Sequence, residues 1–308
     1  MSDSAPAPEM SVVVALIAGR RTALARCLQD LAGQTGVGSI EVLVPYDTTV
    51  ADVLELAPRY PSVRFIPAEG LDTALARAGA SREHHDTLRT IGLRAARAPV
   101  VALTEDHARL PAEWCAGLLD ALERNPSAGA VGGAVDPGGS DRLALGVYFC
   151  DFGRYQSPVP EGPAWFVSDS NVAYRRSALA AVAESWRDDY HETIVHDALR
   201  TAGWELRLTP RIVVRQQRDG LRPGAAMRER FVWGRSYASS RVRTVGTGRR
   251  LLFALLAPAL PFVLTARARR TALERGRGSE FRRALPYVGL LSGAWAAGEW
   301  VGYLTGRS

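Results

Sequence analysis

Glu105, Asp106 and His107 place two carboxylates and an imidazole in three consecutive positions. Oxygen and imidazole donors together suit Mn²⁺, whereas Mg²⁺ prefers oxygen alone. A second titratable cluster, Asp188-Asp189-Tyr190-His191-Glu192, is followed by His196. It is not the HExxH pair of a zinc protease, because His191 and His196 are five residues apart, which separates them by about 140° on a helix. Asp47, Arg89, Asp169 and Asn171 are further candidates for polar recognition, while His84-His85 lacks motif context and reads as an exposed pair. The chain has no lysine, so all 38 of its basic residues are arginines. A lysine Schiff base and a Walker lysine are thereby excluded. Cys27, Cys115 and Cys150 are odd in number and lack paired spacing. They exclude a disulfide framework and a cysteine zinc site, and they suit a reducing compartment.

These residues need a scaffold that gathers distant segments. At 308 residues the chain suffices for one large or two small domains, and 47% hydrophobic with 23% charged residues is an ordinary globular composition. Ser11–Ile17 is a continuous apolar, β-branched run bounded by Gly19 and reads as a buried strand of a parallel sheet. A helical period over Arg20–Leu31 follows. Then come a strand at Ile40–Val44, a helical stretch at Ala51–Leu56 and a strand at Val63–Ile66. Arg82–Arg97 reads as a helix with Leu88, Ile91 and Ala95 on one face, leading into a fourth strand at Pro99–Leu103. This alternation indicates an α/β sheet with parallel core strands, in which ligands sit beyond the carboxyl ends of the strands. Pro45-Tyr46-Asp47 and Thr104–His107 fall there. No GxGxxG follows the first strand, which disfavours a dinucleotide fold.

Past a helix at Pro111–Arg124, Gly129–Val135 reads as a strand whose glycines leave room for close approach of a ligand. Residues 136–163 read as a long loop. Trp165–Ser168 and Asn171–Tyr174 read as strands around a turn, Tyr190–Ala202 as a helix ending at Gly203, and Leu206–Val214 as a strand broken near Pro210. Residues 1–10 are polar and read as a disordered N-terminus without the features of a secretory signal.

The net charge of +6 is unevenly divided: residues 1–200 hold 18 Arg against 26 acids, and residues 201–308 hold 20 Arg against 6. A basic C-terminal third points to an anionic partner. Gly224–Arg243 reads as a basic helix in which Arg228, Arg230, Arg235, Arg241 and Arg243 alternate with Phe231, Trp233 and Tyr237. Two apolar blocks follow, Leu251–Ala266 with 16 uncharged residues and Ala284–Gly298 with 15. If Glu299 is tolerated the second extends to Gly306 and 23 residues, so both are marginal against the roughly 20 residues of a spanning helix. Seven Arg lie between them, and a two-span hairpin would carry that loop across the bilayer against the positive-inside tendency. The pattern favours in-plane or re-entrant association with an anionic membrane surface over nucleic-acid binding. Core helices packed on the rest of the chain or on a second copy are the alternative.

The order of several segments carries a resemblance. Leu24-Ala25-Arg26-Cys27-Leu28 lies in the first helix, Glu41-Val42-Leu43-Val44 in the second strand, and Arg89-Thr90-Ile91-Gly92-Leu93 before the acidic strand end. Pro99–His107 then leads to Pro111 and Trp114, the glycine-bearing Ala130–Val135 follows, and Asn171-Val172-Ala173-Tyr174-Arg175-Arg176 comes next. His191-Glu192 stands eleven residues before Gly203. This set, over roughly residues 11–215, resembles glycosyltransferase family 2, the inverting enzymes with the GT-A fold. The resemblance implies an α/β fold with a mixed, mostly parallel sheet flanked by helices over 11–220. Residues 11–110 would be its nucleotide-binding half and 111–220 its acceptor half; beyond the resemblance, charge and apolar blocks read 221–308 as an Arg-rich helical, membrane-associated tail.

It also implies an enzyme that moves a sugar, with inversion, from a nucleotide-sugar donor to a hydroxyl of a lipid-linked or cell-envelope glycan acceptor. The place of action would be the cytoplasmic face of the cell membrane. Matched to the family's motifs, Glu105, Asp106 and His107 replace Asp-x-Asp at the site of a divalent metal, Mn²⁺ or Mg²⁺, with His107 seven residues before Trp114. Glu192 is the general-base candidate, with His191 as its alternative. Asp47 and Arg89 are nucleotide-binding candidates, and Asp169 and Asn171 face donor sugar or acceptor. Tyr46-Asp47 replaces a paired Asp, Thr90 replaces Asn, and His191-Glu192 replaces Glu-Asp. These departures mark a divergent subfamily. They leave open a catalytically inactive nucleotide-sugar or glycan-binding protein that keeps the fold.

Overall fold

The computed structural model describes residues 7–16, 21–71, 82–242 and 245–306. Expectations that concern residues 1–6, 17–20 and 243 lie outside them. The described residues divide into two compact units. One takes in the N-terminal residues up to 71, Glu83–Asp136 and Ser157–Gln217; the other takes in Pro137–Gln156 and the chain from Arg218 onward.

The first unit is built on a mixed sheet. Strand β1 (Met10–Ala15) is buried on both faces, as its unbroken apolar run requires. Helix α1 (Arg21–Ala32) buries Ala23, Leu24, Cys27, Leu28 and Leu31. Strand β2 (Ile40–Asp47) runs into a 3₁₀ segment, Thr48–Leu56, and β3 (Val63–Ala68) follows. Helix α2 (Arg82–Ala95) leads to β4 (Val100–Glu105) and the short β5 (Ala108–Arg109). After α3 (Trp114–Glu123) comes β6 (Ala128–Pro137). Helix α4 (Arg142–Asp151) belongs to the second unit. The chain then returns through β7 (Gly162–Pro163), β8 (Val172–Arg175), α5 (Arg176–Ala181), α6 (Glu192–Thr201) and β9 (Glu205–Gln216).

The strand order is β3-β2-β1-β4-β8-β6-β9-β5, with β7 on β9. The pairs β1–β2, β2–β3 and β1–β4 are parallel, whereas β8 runs antiparallel to both β4 and β6. The fold is thus the expected α/β type, a mostly parallel sheet in its first half flanked by helices. Gly92 of α2 faces β1, where a Cβ would stand 2.2 Å from Val13 Cγ1. The helix packs closely on the sheet because this residue has no side chain.

Three expectations are corrected. Residues 136–163 are not one loop, since Asp141 caps α4 by accepting from the N–H groups of Leu143 and Ala144 at 3.0 and 2.9 Å. That helix is apolar on most of its circumference, which hides its period. Strand β9 continues through Pro210, an exposed position. Trp165–Ser168 is not a strand.

In the second unit, α4 is joined by α7 (Pro223–Val242), α8 (Thr247–Leu256), α9 (Leu260–Glu274) and α10 (Gly278–Thr305). Helix α10 packs against all four. Gly298 and Gly302 of α10 let α7 approach closely: a Cβ on Gly298 would lie 2.0 Å from the Phe231 carbonyl oxygen.

Candidate active site

The parallel strands end at one edge. Register pairs Ala15 of β1 with Glu105 of β4, and the Asp106 N–H donates to the Ala15 carbonyl at 2.9 Å. The acidic triplet therefore sits directly beyond the carboxyl ends of the central strands. Asp47 closes β2 and caps the 3₁₀ segment, its Oδ1 accepting from the Thr49 N–H at 2.9 Å. Its Oδ2 faces His84 Nε2 at 3.9 Å. Neither member of the histidine pair is exposed as expected: the His84 side chain is 10% exposed against Asp47, and His85 is buried where α2 turns inward.

Arg89 is the centre of the cluster. Its guanidinium, 4% exposed, donates from Nη1 to Asp86 Oδ1 at 3.1 Å and from Nη2 to Glu105 Oε1 at 3.1 Å. Asp169 Oδ2 lies 3.1 Å from the same Nη2. Burial alone would favour loss of the Arg89 proton, but the carboxylates of Asp169, Asp86 and Glu105 outweigh it and hold the charge. Gln216, the last residue of β9, donates to Glu105 Oε2 at 2.8 Å. Burial pushes the Glu105 carboxyl upward, opposed by His107 and Arg89.

Asp86 also reaches the Asp188–Glu192 segment. Its Oδ2 lies 2.9 Å from His191 Nδ1, and Asp189 Oδ2 lies 3.1 Å from His191 Nε2. The bonds to Asp189 and Asp86 hold the proton, raising His191 to about 10. At neutral pH this imidazolium has a carboxylate oxygen close to each ring nitrogen. Glu192 begins α6, and its Oε2 lies 3.5 Å from the Asp169 N–H. A carboxylate at a helix N-terminus is favoured by the dipole, and Glu192 is half-buried beside the Asp169–Arg89 pair.

Asn171 is fully buried and committed to the fold. Its Oδ1 accepts from Trp114 Nε1 at 2.8 Å, and its Nδ2 donates to the carbonyls of Ala134 at 2.8 Å and Ile212 at 3.3 Å. The glycines of β6 serve the same packing, since a Cβ on Gly133 would lie 2.0 Å from the Ile212 carbonyl oxygen. The close approach expected there comes from the protein's own backbone. Behind Glu192, the Tyr174 hydroxyl lies 2.7 Å from the Tyr190 hydroxyl and 2.8 Å from His196 Nε2. Burial keeps both phenols protonated and pushes His196 down to about 4, so its ring is neutral.

The donor set for a cation has two members. His107 Nδ1 lies 3.0 Å from Asp106 Oδ1. Its Nε2 is buried without a hydrogen-bond partner and lies 3.4 Å from Glu105 Oε2. A carboxylate that orients a histidine in this way is a recurrent support of metal sites. Among the described residues no three His, Cys, Asp or Glu side chains converge on one point.

Sequence reasoning identified Arg89, Glu105, His107, Asp169, His191 and Glu192, and the structure brings these six together. Asp47 stands at the neighbouring strand end. Asp86 and Gln216 were missed. Asp86 could have been found from its position three residues before Arg89, one helical turn away. Gln216 carries no local signal.

No protein-family model matches the sequence, and no curated protein matches it. Solved structures do. The mannosyltransferase PcManGT of Pyrobaculum calidifontis, in complex with GDP-Man and Mn²⁺, is 16% identical with a TM-score of 0.54, over 99% of this chain and 91% of that one. Residues 1–349 of S. aureus TarS, in complex with UDP-GlcNAc, are 10% identical with a TM-score of 0.48, over 73% of this chain and 65% of that one. The fold is that of GT-A glycosyltransferases, at low sequence identity.

Proposed function

We propose that this chain is a glycosyltransferase that moves a sugar, with inversion, from a nucleotide-sugar donor to a hydroxyl of a lipid-linked or cell-envelope acceptor. The observation that carries this reading is the convergence of Arg89, Glu105, Asp169 and Glu192 beyond the strand ends of a GT-A fold. Glu192 takes the proton from the acceptor hydroxyl as it attacks the anomeric carbon. We assign the base to Glu192 rather than to its alternative His191, because the Asp189 and Asp86 carboxylates beside His191 favour its protonated form. Asp47 and Arg89 serve the nucleotide side, where Asp86 and Glu105 hold Arg89 in place. Asp169 links the two sides through Arg89 and Glu192. Asn171 braces the strands beneath them.

Glu105 and His107 would hold a divalent cation, Mn²⁺ or Mg²⁺, with Asp106 orienting the imidazole. When bound, the cation would neutralise charge on the nucleoside diphosphate leaving group. PcManGT was solved with GDP-Man and Mn²⁺, which makes GDP-mannose with Mn²⁺ the first donor to try, with UDP-GlcNAc alongside.

Nucleotide sugars are screened by thermal shift with and without Mn²⁺, since a ligand that binds only the native state raises the midpoint. Release of nucleoside diphosphate from the donor so found is then measured for the wild type and Glu192→Gln. The expected outcome is an unchanged thermal shift and a rate lower by about 10²–10⁴-fold. Wild-type turnover by Glu192→Gln would remove Glu192 from its role. Donor binding with no turnover by the wild type would leave a binding protein.

A further inference from the structure

Helices α8 and α9 join through a 3₁₀ turn, Ala257–Ala259, whose flanking residues keep helical dihedrals. Among the described residues, Thr247–Glu274 is the one helical stretch with the length and apolar composition to cross a membrane. From Leu251 onward its exposed positions recur in adjacent pairs: 251/252, 255/256, 258/259, 262/263, 266/267, 269/270 and 273/274. A spacing of three and four describes one face of a single helix. Buried Ala254, Ala257 and Ala272 mark another face, where α8 and α9 meet α10. The distribution of polarity is inverted relative to a soluble helix. The first four exposed pairs are Leu-Leu, Leu-Leu, Pro-Ala and Phe-Val, with Leu255 at 76% and Phe262 at 79% exposure.

Further along the same face stand Arg267, Arg269 and Arg270, followed by Leu273 and by Glu274, which pairs with Arg270 at 2.8 Å and leaves Arg267 and Arg269 as the face's surplus charge. Arg269 also lines a cleft of about 360 Å³ with Arg282, Ser279, Leu273 and Phe281. Two guanidinium groups, a hydroxyl and apolar walls suit the head of an anionic lipid, and a surplus of 20 Arg over 6 acids in residues 201–308 gives the surroundings the same sign. We infer that the outer face of α8–α9 is a docking surface for an anionic lipid bilayer, and that the helix lies in the plane of the interface rather than crossing it.

Neighbouring helices decide against crossing. Helix α10 runs antiparallel to α8–α9, for Phe281 and Ala284 cluster with Ala272 while Tyr303 clusters with Ala254. Arg250 of α8 donates from Nη2 to the Leu304 carbonyl at 2.6 Å, fastening the opposite ends. Helix α7 lies alongside the second half of α10, with Ala226 near Leu291 and Ala238 near Tyr303. A helix standing upright in the bilayer would draw α7 to the same depth, with Arg228, Glu229, Arg230, Arg235 and Arg241. Charges at that depth are strongly disfavoured. Lying flat, the helix immerses its leucines and Phe262 and leaves the arginines at headgroup level.

This inference does not depend on sugar transfer. The full chain is floated with vesicles of phosphatidylcholine alone or with phosphatidylglycerol, for the wild type and for Leu255→Glu/Phe262→Glu. Both substituted positions are exposed, so the fold should survive, as circular dichroism checks. The expected results are binding to the phosphatidylglycerol vesicles, weakening with salt, and a fall of about a hundredfold or more in partitioning of the variant. Alkaline carbonate should release the bound wild type. Equal partitioning of variant and wild type overturns the docking surface. So does a wild-type dimer that the two substitutions convert to monomer, because the face would then be covered by a second copy. Retention after carbonate overturns the in-plane orientation.

Discussion

Asp86→Asn tests whether one buried carboxylate ties Arg89 of α2 to His191 at the start of α6. Asp86 is 1% exposed and bonds Arg89 Nη1 at 3.1 Å and His191 Nδ1 at 2.9 Å. Asparagine has nearly the same shape, but only one of its two terminal atoms accepts a hydrogen bond. Its amide group must therefore point at a guanidinium or at an imidazole N–H. Breaking a buried ion pair by neutralising one member costs about 3–5 kcal/mol. Arg89 retains Glu105 and Asp169, so the low end applies, about 3 kcal/mol, read from urea unfolding at pH 7.

The second readout is the charge of His191, followed by NMR of the five histidine rings, assigned through single His→Gln variants. In the wild type His191 stays protonated until the pH approaches about 10. Its folded-state affinity for the proton exceeds the unfolded value of about 6.5. The stabilisation it contributes is therefore complete below about pH 6.5 and is lost as the pH rises through the folded midpoint. In Asp86→Asn only Asp189 remains as its partner, and the proton affinity should fall at least tenfold, about 1.4 kcal/mol. Titration of wild-type His191 near 6.5, or an unmoved midpoint in Asp86→Asn, would refute the clamp.

Two further outcomes are expected. Gly133→Ala should lower stability by about 3 kcal/mol through overpacking against the Ile212 carbonyl and the Asn171 amide, whereas Gly139→Ala, with nothing within 4 Å of its Cβ, should be nearly neutral by urea unfolding. Mn²⁺ alone should broaden the His107 ring resonances before those of His84 and His196, and Glu105→Gln should raise the Mn²⁺ concentration required by about tenfold or more; equal broadening of all rings would count against Glu105 and His107 as ligands.

The fold was legible wherever one physical signal dominated. Ser11–Ala15 and Val100–Leu103 are β-branched or apolar runs that only a sheet buried on both faces accommodates, and both are central strands. Helix α4 was illegible because its apolar residues surround it, and its neighbours in sequence are glycine, proline and aspartate. The glycines of β6 were read as space for a ligand, and that space is filled by Ile212 and Asn171 from segments far along the chain. At the site, motif order located residues at strand ends and helix starts, where local chemistry is visible. It did not show that Asp86 and Gln216 complete the shell of Arg89 and Glu105, since those contacts depend on tertiary packing.

The residues at which the sequence departs from the pattern of the family it resembles are physically coupled. Glu105, one methylene longer than Asp, has one oxygen on Arg89 and the other on Gln216. The imidazole at 107 is held through Nδ1 by Asp106, the middle residue of the triplet. The imidazole at 191, where the resembled pattern has an acid, stands between Asp86 and Asp189. A glutamate at 191 would face those two carboxylates, and like charges at such distances disfavour the ionised state of all three. Asp86 can be buried because Arg89 and His191⁺ flank it, and Arg89 can be buried because three carboxylates surround it. A substitution at any one of these positions therefore changes the charge balance of the others, and they are better treated as one electrostatic unit than as independent motif residues.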